Sequence, residues 1–188
     1  LNKATVAAKN NPSLVIGQRT SNAISTLKNY ALNSETNKTP KSASKRKTIS
    51  VKELVDACKS LEFSTEVSKN CCQDLVNGES AGLLLHLIRT CDRSRDSQEL
   101  LQHALVTLLN IARYDELALF VSQGDNSSIA TVIDLLQMFR DKKAVFSVAC
   151  ELMCRIITAD ARAKVSGFAN LSTFTILLIA YETFPFDL

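Results

Sequence analysis

Apolar residues come in adjacent pairs along LLQHALVTLLNIARY, the stretch that begins at Leu100: Leu100/Leu101, Ala104/Leu105 and Leu108/Leu109. Steps of four place the pairs on one face of a helix. Doubling each position widens that face until two neighbours are needed to cover it. The doubling recurs 44 residues later as Ala144/Val145, Val148/Ala149 and Leu152/Met153. Upstream, Leu54/Val55, Cys58 and Leu61 precede Ala104/Leu105, Leu108 and Ile111 by 50.

Between these long apolar faces the pattern predicts shorter helices. Residues 18–32 carry Ala23, Ile24, Leu27 and Ala31 at helical spacing, after a frayed lead-in that ends at Asn11-Pro12. Residues 33–48, NSETNKTPKSASKRKT, show no apolar face and predict a flexible basic loop. A helix capped by Thr48 or Ser50 follows, then short helices over 68–76 and 81–89 and a polar loop, CDRSRDSQ. The long helix covers 97–113 and is followed by helices at 115–121, 129–140, 143–158, 162–165 and 172–181. Glycines stand at the predicted helix ends, where a left-handed stop accounts for Gly78, Gly124 and Gly167. A short helix, a glycine, a medium helix and a long helix repeating with a period in the forties is the signature of an armadillo or HEAT solenoid. The fold expected is therefore all-α, an armadillo/HEAT-like helical solenoid of about three to four irregular repeats. Its organisation would be an N-terminal lead-in and capping helix over 1–32, a basic loop over 33–50, and repeats over 51–188 that form one compact body with 13–32. The C-terminal FPFDL is the second capping candidate.

Charge changes this picture at one end only. Residues 1–50 hold nine Lys/Arg against one acidic residue, whereas residues 51–188 hold thirteen against eighteen. The chain starts at Leu1 rather than Met, so a larger polypeptide is expected around it. The most apolar run, LSTFTILLIAYETF, covers 14 residues and includes Glu182, too short and too interrupted to span a bilayer. Six cysteines without a CxxC pair read as reduced, buried thiols. Cys150 and Cys154, one turn apart, supply at most half a zinc site, because His86 and His103 lie far off in sequence. His103 follows Glu99 by four residues, which suggests a helix-surface pair rather than catalysis. Nucleophile elbows, phosphate-binding glycine loops and HExxH are missing, so neither an enzyme nor a cofactor is expected.

Three polar features remain. Asn110 sits in the middle of the apolar run, and a buried amide is costly without hydrogen bonds. A structural bond to a neighbouring backbone is the favoured role. Lys45-Arg46-Lys47 in the basic loop can contact an acidic surface such as a microtubule, or simply keep the chain solvated; the lack of interleaved aromatics argues against nucleic acid. Arg89, Arg93 and Arg95 beside Asp92 and Asp96 form either a partner-binding edge or a self-paired loop.

The unit over 80–124 resembles a complete armadillo repeat. In armadillo proteins that carry peptides, an asparagine at this place on the long helix lines a groove, and successive repeats supply the next rungs. By the sequence period the neighbouring rungs here would be Ser60 and Cys154. Three strings resemble the C-terminal region of the abnormal spindle protein family: STEVSKNCCQDL from Ser64, LIRTCDRS from Leu87 and TLLNIARYDE from Thr107. RTSNAISTL, from Arg19, resembles the segment that precedes them, and the resemblance spans residues 18–137. Membership implies a spindle-pole, microtubule-associated protein of the cytoskeleton and centrosome in mitosis, with the nucleus as its interphase location. It implies partners such as katanin, and calmodulin through IQ motifs that this chain lacks. What the resemblance assigns to this chain is a protein-interaction scaffold in spindle-pole focusing; the alternative is an importin/catenin-like cargo adaptor.

Overall fold

The computed structural model describes residues 12–36, 49–123 and 128–160. Among them are eight helices and no strand: α1 (Pro12–Thr36), α2 (Val51–Val67), α3 (Lys69–Asn77), α4 (Ser80–Thr90), α5 (Arg95–Ala112), α6 (Asp115–Gln123), α7 (Ser128–Met138) and α8 (Lys143–Ala159). The predicted helices at 162–165 and 172–181, the FPFDL segment, Gly124, Gly167 and Lys45-Arg46-Lys47 lie outside the described residues.

Local chemistry sets the breaks. Pro12 occupies the first helical position of α1, where its missing N–H costs nothing. Ser50 and Glu53 form a reciprocal cap on α2: the Glu53 N–H donates to Ser50 Oγ (3.2 Å), and the Ser50 N–H donates to Glu53 Oε2 (2.8 Å). Ser68, in extended conformation, ends α2 and caps α3 through the Cys71 N–H. Ser94 caps α5 by accepting from the Ser97 N–H (3.3 Å).

The turn between α3 and α4 departs from expectation. Gly78 has φ −85° and is not left-handed; Glu79 takes the left-handed conformation instead, at φ 58°. A Cβ at Gly78 would lie 3.1 Å from the Asp74 carbonyl oxygen, a tight contact that glycine avoids.

The long helices α2, α5 and α8 pack side by side in one layer, and α1, α4 and α7 form a second layer behind them. The short α3 and α6 bridge the layers at each repeat junction. Helix α5 lies at the centre, against α2 on one side and α8 on the other. Leu101, Ala104, Leu105, Leu108 and Ile111 are removed from solvent entirely, as the doubled apolar positions require. Burying a leucine contributes about 1.5–3 kcal/mol, so this helix anchors the stack.

The extent of α1 and the register of α8 differ from the sequence reading: α1 begins at Pro12 rather than at 18. Helix α1 continues through residues 33–36, which carry no apolar face, because its packing on α2 and α4 supports the helix past Leu32. The register between the last two long helices also differs. On α8 the buried pairs are Val145/Phe146, Leu152/Met153 and Ile156/Ile157, while Ala144 is exposed. Helix α8 begins 48 residues after α5, whereas α5 begins 44 after α2. The additional residues lie in the helix joints and in one more residue of α5, which a self-comparison of apolar pairs does not detect.

Candidate functional site

Polar side chains tie several helices to their counterparts in the next repeat. Lys59 on α2 meets Glu99 on α5 (2.6 Å), and Lys69 on α3 meets Glu116 on α6 (2.6 Å) while lying 4.8 Å above the Tyr114 ring. Tyr30 on α1 shares a hydrogen bond with Thr90 on α4 (3.1 Å), and Arg89 Nε donates to Thr131 Oγ1 on α7 (2.8 Å). The Arg93 guanidinium grips both oxygens of Asp141, at 2.6 and 2.8 Å, joining one inter-helix loop to the next. These ion pairs are about half exposed, so they specify register more than they add stability.

The three arginines of the candidate edge are all exposed but differ in what they contact. Arg89 and Arg93 tie repeats together, and Arg93 reaches across to Asp141 rather than to Asp92 or Asp96. Arg95 is exposed at the start of α5. Asp92 bonds to the cap instead: hydrogen bonds from Ser94 and then Ser97 lower its carboxyl to about 2. His103 does not pair with Glu99. Its Nδ1 contacts Glu62 Oε2 on α2, while Glu99 turns to Lys59, because stacked helices offer partners that an isolated helix face lacks.

Asn110 lies in the α2–α5 seam, only 1% exposed. Its Nδ2 donates to Thr65 Oγ1 (3.1 Å) and to the Glu62 carbonyl oxygen (3.3 Å), while Oδ1 is buried with no hydrogen-bond partner among the described residues. Counted from the helix starts, its counterparts are Glu66 and Thr158, both exposed, rather than Ser60 and Cys154. No row of asparagines runs along the long helices, and the one present faces a neighbouring helix.

The cysteines divide. Cys58, Cys71, Cys72 and Cys91 are buried, but Cys150 is half-buried and Cys154 exposed, which corrects the reading of all six as core thiols. The apolar face of α8 is narrower than the period implies and leaves residue 154 outside it. Burial, with Cys91 and Glu62 nearby, pushes Cys58 up to about 12; burial likewise pushes Cys72 and Cys91 to about 11. Such thiols stay protonated and inert at neutral pH. Among the described residues no three His, Cys, Asp or Glu side chains gather as metal ligands, and no helix is long and apolar enough to cross a membrane.

A concavity lies elsewhere. A groove of about 760 Å³ runs between α1 and α2. Asn22, Thr26, Asn29 and Asn33 line its α1 wall, and Glu53, Asp56 and Ser60 its α2 wall. The sequence reading followed the apolar positions of α1 and passed over this polar stripe. The signal was present, since residues 22, 26, 29 and 33 repeat with the helical period beside Ala23 and Leu27.

Comparison with known proteins gives one consistent group of relatives. The chain is 32% identical over 120 residues to the abnormal spindle-like microcephaly-associated protein homolog of Canis lupus familiaris, covering 59% of the chain and 3% of that protein. It is 30% identical over 120 residues to that of Felis catus, again 59% and 3%. Identity to that of Mus musculus is 29% over 140 residues, covering 65% of the chain and 4% of the relative. The chain thus corresponds to only a few per cent of the length of these relatives. No family model matches the chain, and no solved structure matches it significantly. Over more than half of its length this all-helical stack is thus similar in sequence to the abnormal spindle-like microcephaly-associated proteins.

Proposed function

We propose that this chain is a non-enzymatic docking module, the terminal helical part of a spindle-pole, microtubule-associated protein that helps focus the poles of the mitotic spindle. The observation that carries the reading is the kinship with proteins named for an abnormal spindle. The fold supports it in a second way. The polar groups at the repeat junctions are engaged in holding helices in register, which suits a rigid body that presents surfaces. Its partners are microtubules or microtubule-bound proteins such as katanin, with calmodulin bound by other parts of the polypeptide. Its place is the cytoskeleton at spindle poles.

Co-sedimentation with taxol-stabilised microtubules at low and high salt tests direct lattice contact. Binding is expected at low salt and should weaken as salt screens the basic residues. Replacing Lys45, Arg46 and Lys47 with alanine should weaken it further. If no chain pellets at low salt, direct lattice binding is wrong and docking must go through another spindle protein. A cargo-adaptor reading loses support from Asn110, whose amide is buried against α2 and out of reach of a ligand.

A further inference from the structure

The α1–α2 groove is built differently from every other polar site described in this molecule. Thr20 contacts Cys71 just beyond the end of α2, and Tyr30 contacts Thr90 at the end of α4; α1 therefore runs antiparallel to α2 and parallel to α4. Its polar stripe steps by three or four residues, about 4.5–6 Å along the axis. An extended peptide repeats every second residue at about 6.6–6.8 Å. An asparagine amide presents one donor and one acceptor side by side, the complement of a peptide's own C=O and N–H. Asn22 and Asn29 are exposed and two helical turns, about 10.5 Å, apart, so both amides lie within the length of one short extended segment.

The opposite wall supplies charge. Asp56 is exposed on α2 and stands one turn from Glu53 and one turn from Ser60. Among the described residues Arg19 is the one cation lining the groove, and it lies on the α1 wall at the end nearest the α2 C-terminus. An extended strand turns alternate side chains to opposite sides, so a residue whose backbone is held by α1 can extend a side chain over α2. A lysine or arginine there meets Asp56. The span from Arg19 to Asn33 is about 20 Å of helix, enough for about six extended residues.

We propose that this groove binds an extended peptide segment of a partner protein, with its backbone held by Asn22 and Asn29 and a lysine or arginine side chain held by Asp56. The inference rests on the docking-module reading for its biological setting, but its test is independent of microtubules. A fluorescein-labelled peptide of about eight residues alternating lysine and alanine is titrated into the 188-residue chain at low salt and followed by anisotropy, with a glutamate–alanine peptide as control. Saturable binding of the lysine peptide and none of the glutamate peptide is expected. Asp56→Lys should weaken binding by about tenfold or more, since it sets like charges against each other. The pair Asn22→Ala and Asn29→Ala should weaken it by about tenfold through lost backbone hydrogen bonds. Each variant is first checked for the wild-type melting temperature; if Asp56→Lys lowers it, Asp56→Asn takes its place and should weaken binding severalfold. Equal binding of the two peptides, or unchanged affinity in the folded variants, overturns the proposal. Co-sedimentation can fail while this binding holds, and the reverse, so the two readings fail separately.

Discussion

Asn110 and the pair Asn22/Asn29 are the same side chain in two parts of one stack, and they differ in nearly every respect that matters. Asn110 is enclosed in the α2–α5 seam and spends its amide nitrogen on Thr65 and the Glu62 backbone. Asn22 and Asn29 stand in the open, along a groove whose far wall is acidic. The comparison shows that an asparagine surrounded by leucines in sequence is the one the fold consumes. The asparagines beside a thin apolar stripe are the ones left to meet something else. Burial, not residue type, separates structural amides from available ones.

The largest expected effect belongs to the buried member. Asn110→Ala should destabilise the chain by about 1–3 kcal/mol in urea unfolding, through the lost bonds and the space left behind. Asn110→Leu should cost less, under about 1 kcal/mol, because it fills the space and removes the unpartnered Oδ1 while Thr65 keeps its bond to the Leu61 carbonyl. If leucine proved as damaging as alanine, the amide would matter more than the packing. Next comes Ser50→Ala at the start of α2, beside the groove, which should cost about 1 kcal/mol by removing the reciprocal cap with Glu53. A loss well below that would mean packing alone fixes where α2 begins. The open pair should matter least to the fold: Asn22→Ala with Asn29→Ala should move stability by no more than about 0.5 kcal/mol. A larger loss would put these amides in the same class as Asn110 and dissolve the contrast.

Asp92 sharpens the comparison from another side, because it is exposed and yet engaged. Hydrogen bonds from Ser94 and Ser97 hold its carboxyl at about 2, below the ordinary value of about 3.9. A carboxyl depressed in the folded state stabilises it above the unfolded value. That contribution is lost as pH falls from about 4 through about 2. Carbon-detected NMR titration should place Asp92 near 2, and Ser94→Ala should move it upward. A normal titration would mean the exposed loop does not hold its cap in solution. In the same spirit, mild alkylation at neutral pH should modify Cys154 first and leave Cys58, Cys72 and Cys91 protected.

Much of this architecture was legible in the sequence, for reasons that can be named. Doubled apolar positions read as α5 because a helix clamped between two neighbours must be apolar over a wide arc, and α5 is. Ser50, one of the two cap candidates for α2, caps it, whereas Ser94 was not among the cap candidates and starts the long helix at Arg95 rather than at 97. What else escaped depends on distant partners. Glu99 as partner of His103 was sound for an isolated helix and failed once α2 brought Glu62 and Lys59 alongside. Gly78 looked like a left-handed stop, but the chain placed that strain on Glu79 and used the glycine for clearance against Asp74. The self-comparison also placed α8 four residues out of register, since inserted joint residues leave the apolar period looking intact. The groove escaped for a related reason: it exists only between α1 and α2, and neither helix shows it alone.

Cohesion in this molecule runs from α2 to α5 and from α5 to α8, with Arg93–Asp141, Lys59–Glu99 and Lys69–Glu116 fastening adjacent units. In mechanical terms that is a laminate. Tension applied along the stack is borne by each seam in series, and a series of nearest-neighbour seams yields one layer at a time rather than all together. A body of this kind is expected to lengthen by peeling and to recover by restacking. The half-exposed ion pairs then act as guides that return each layer to its own register.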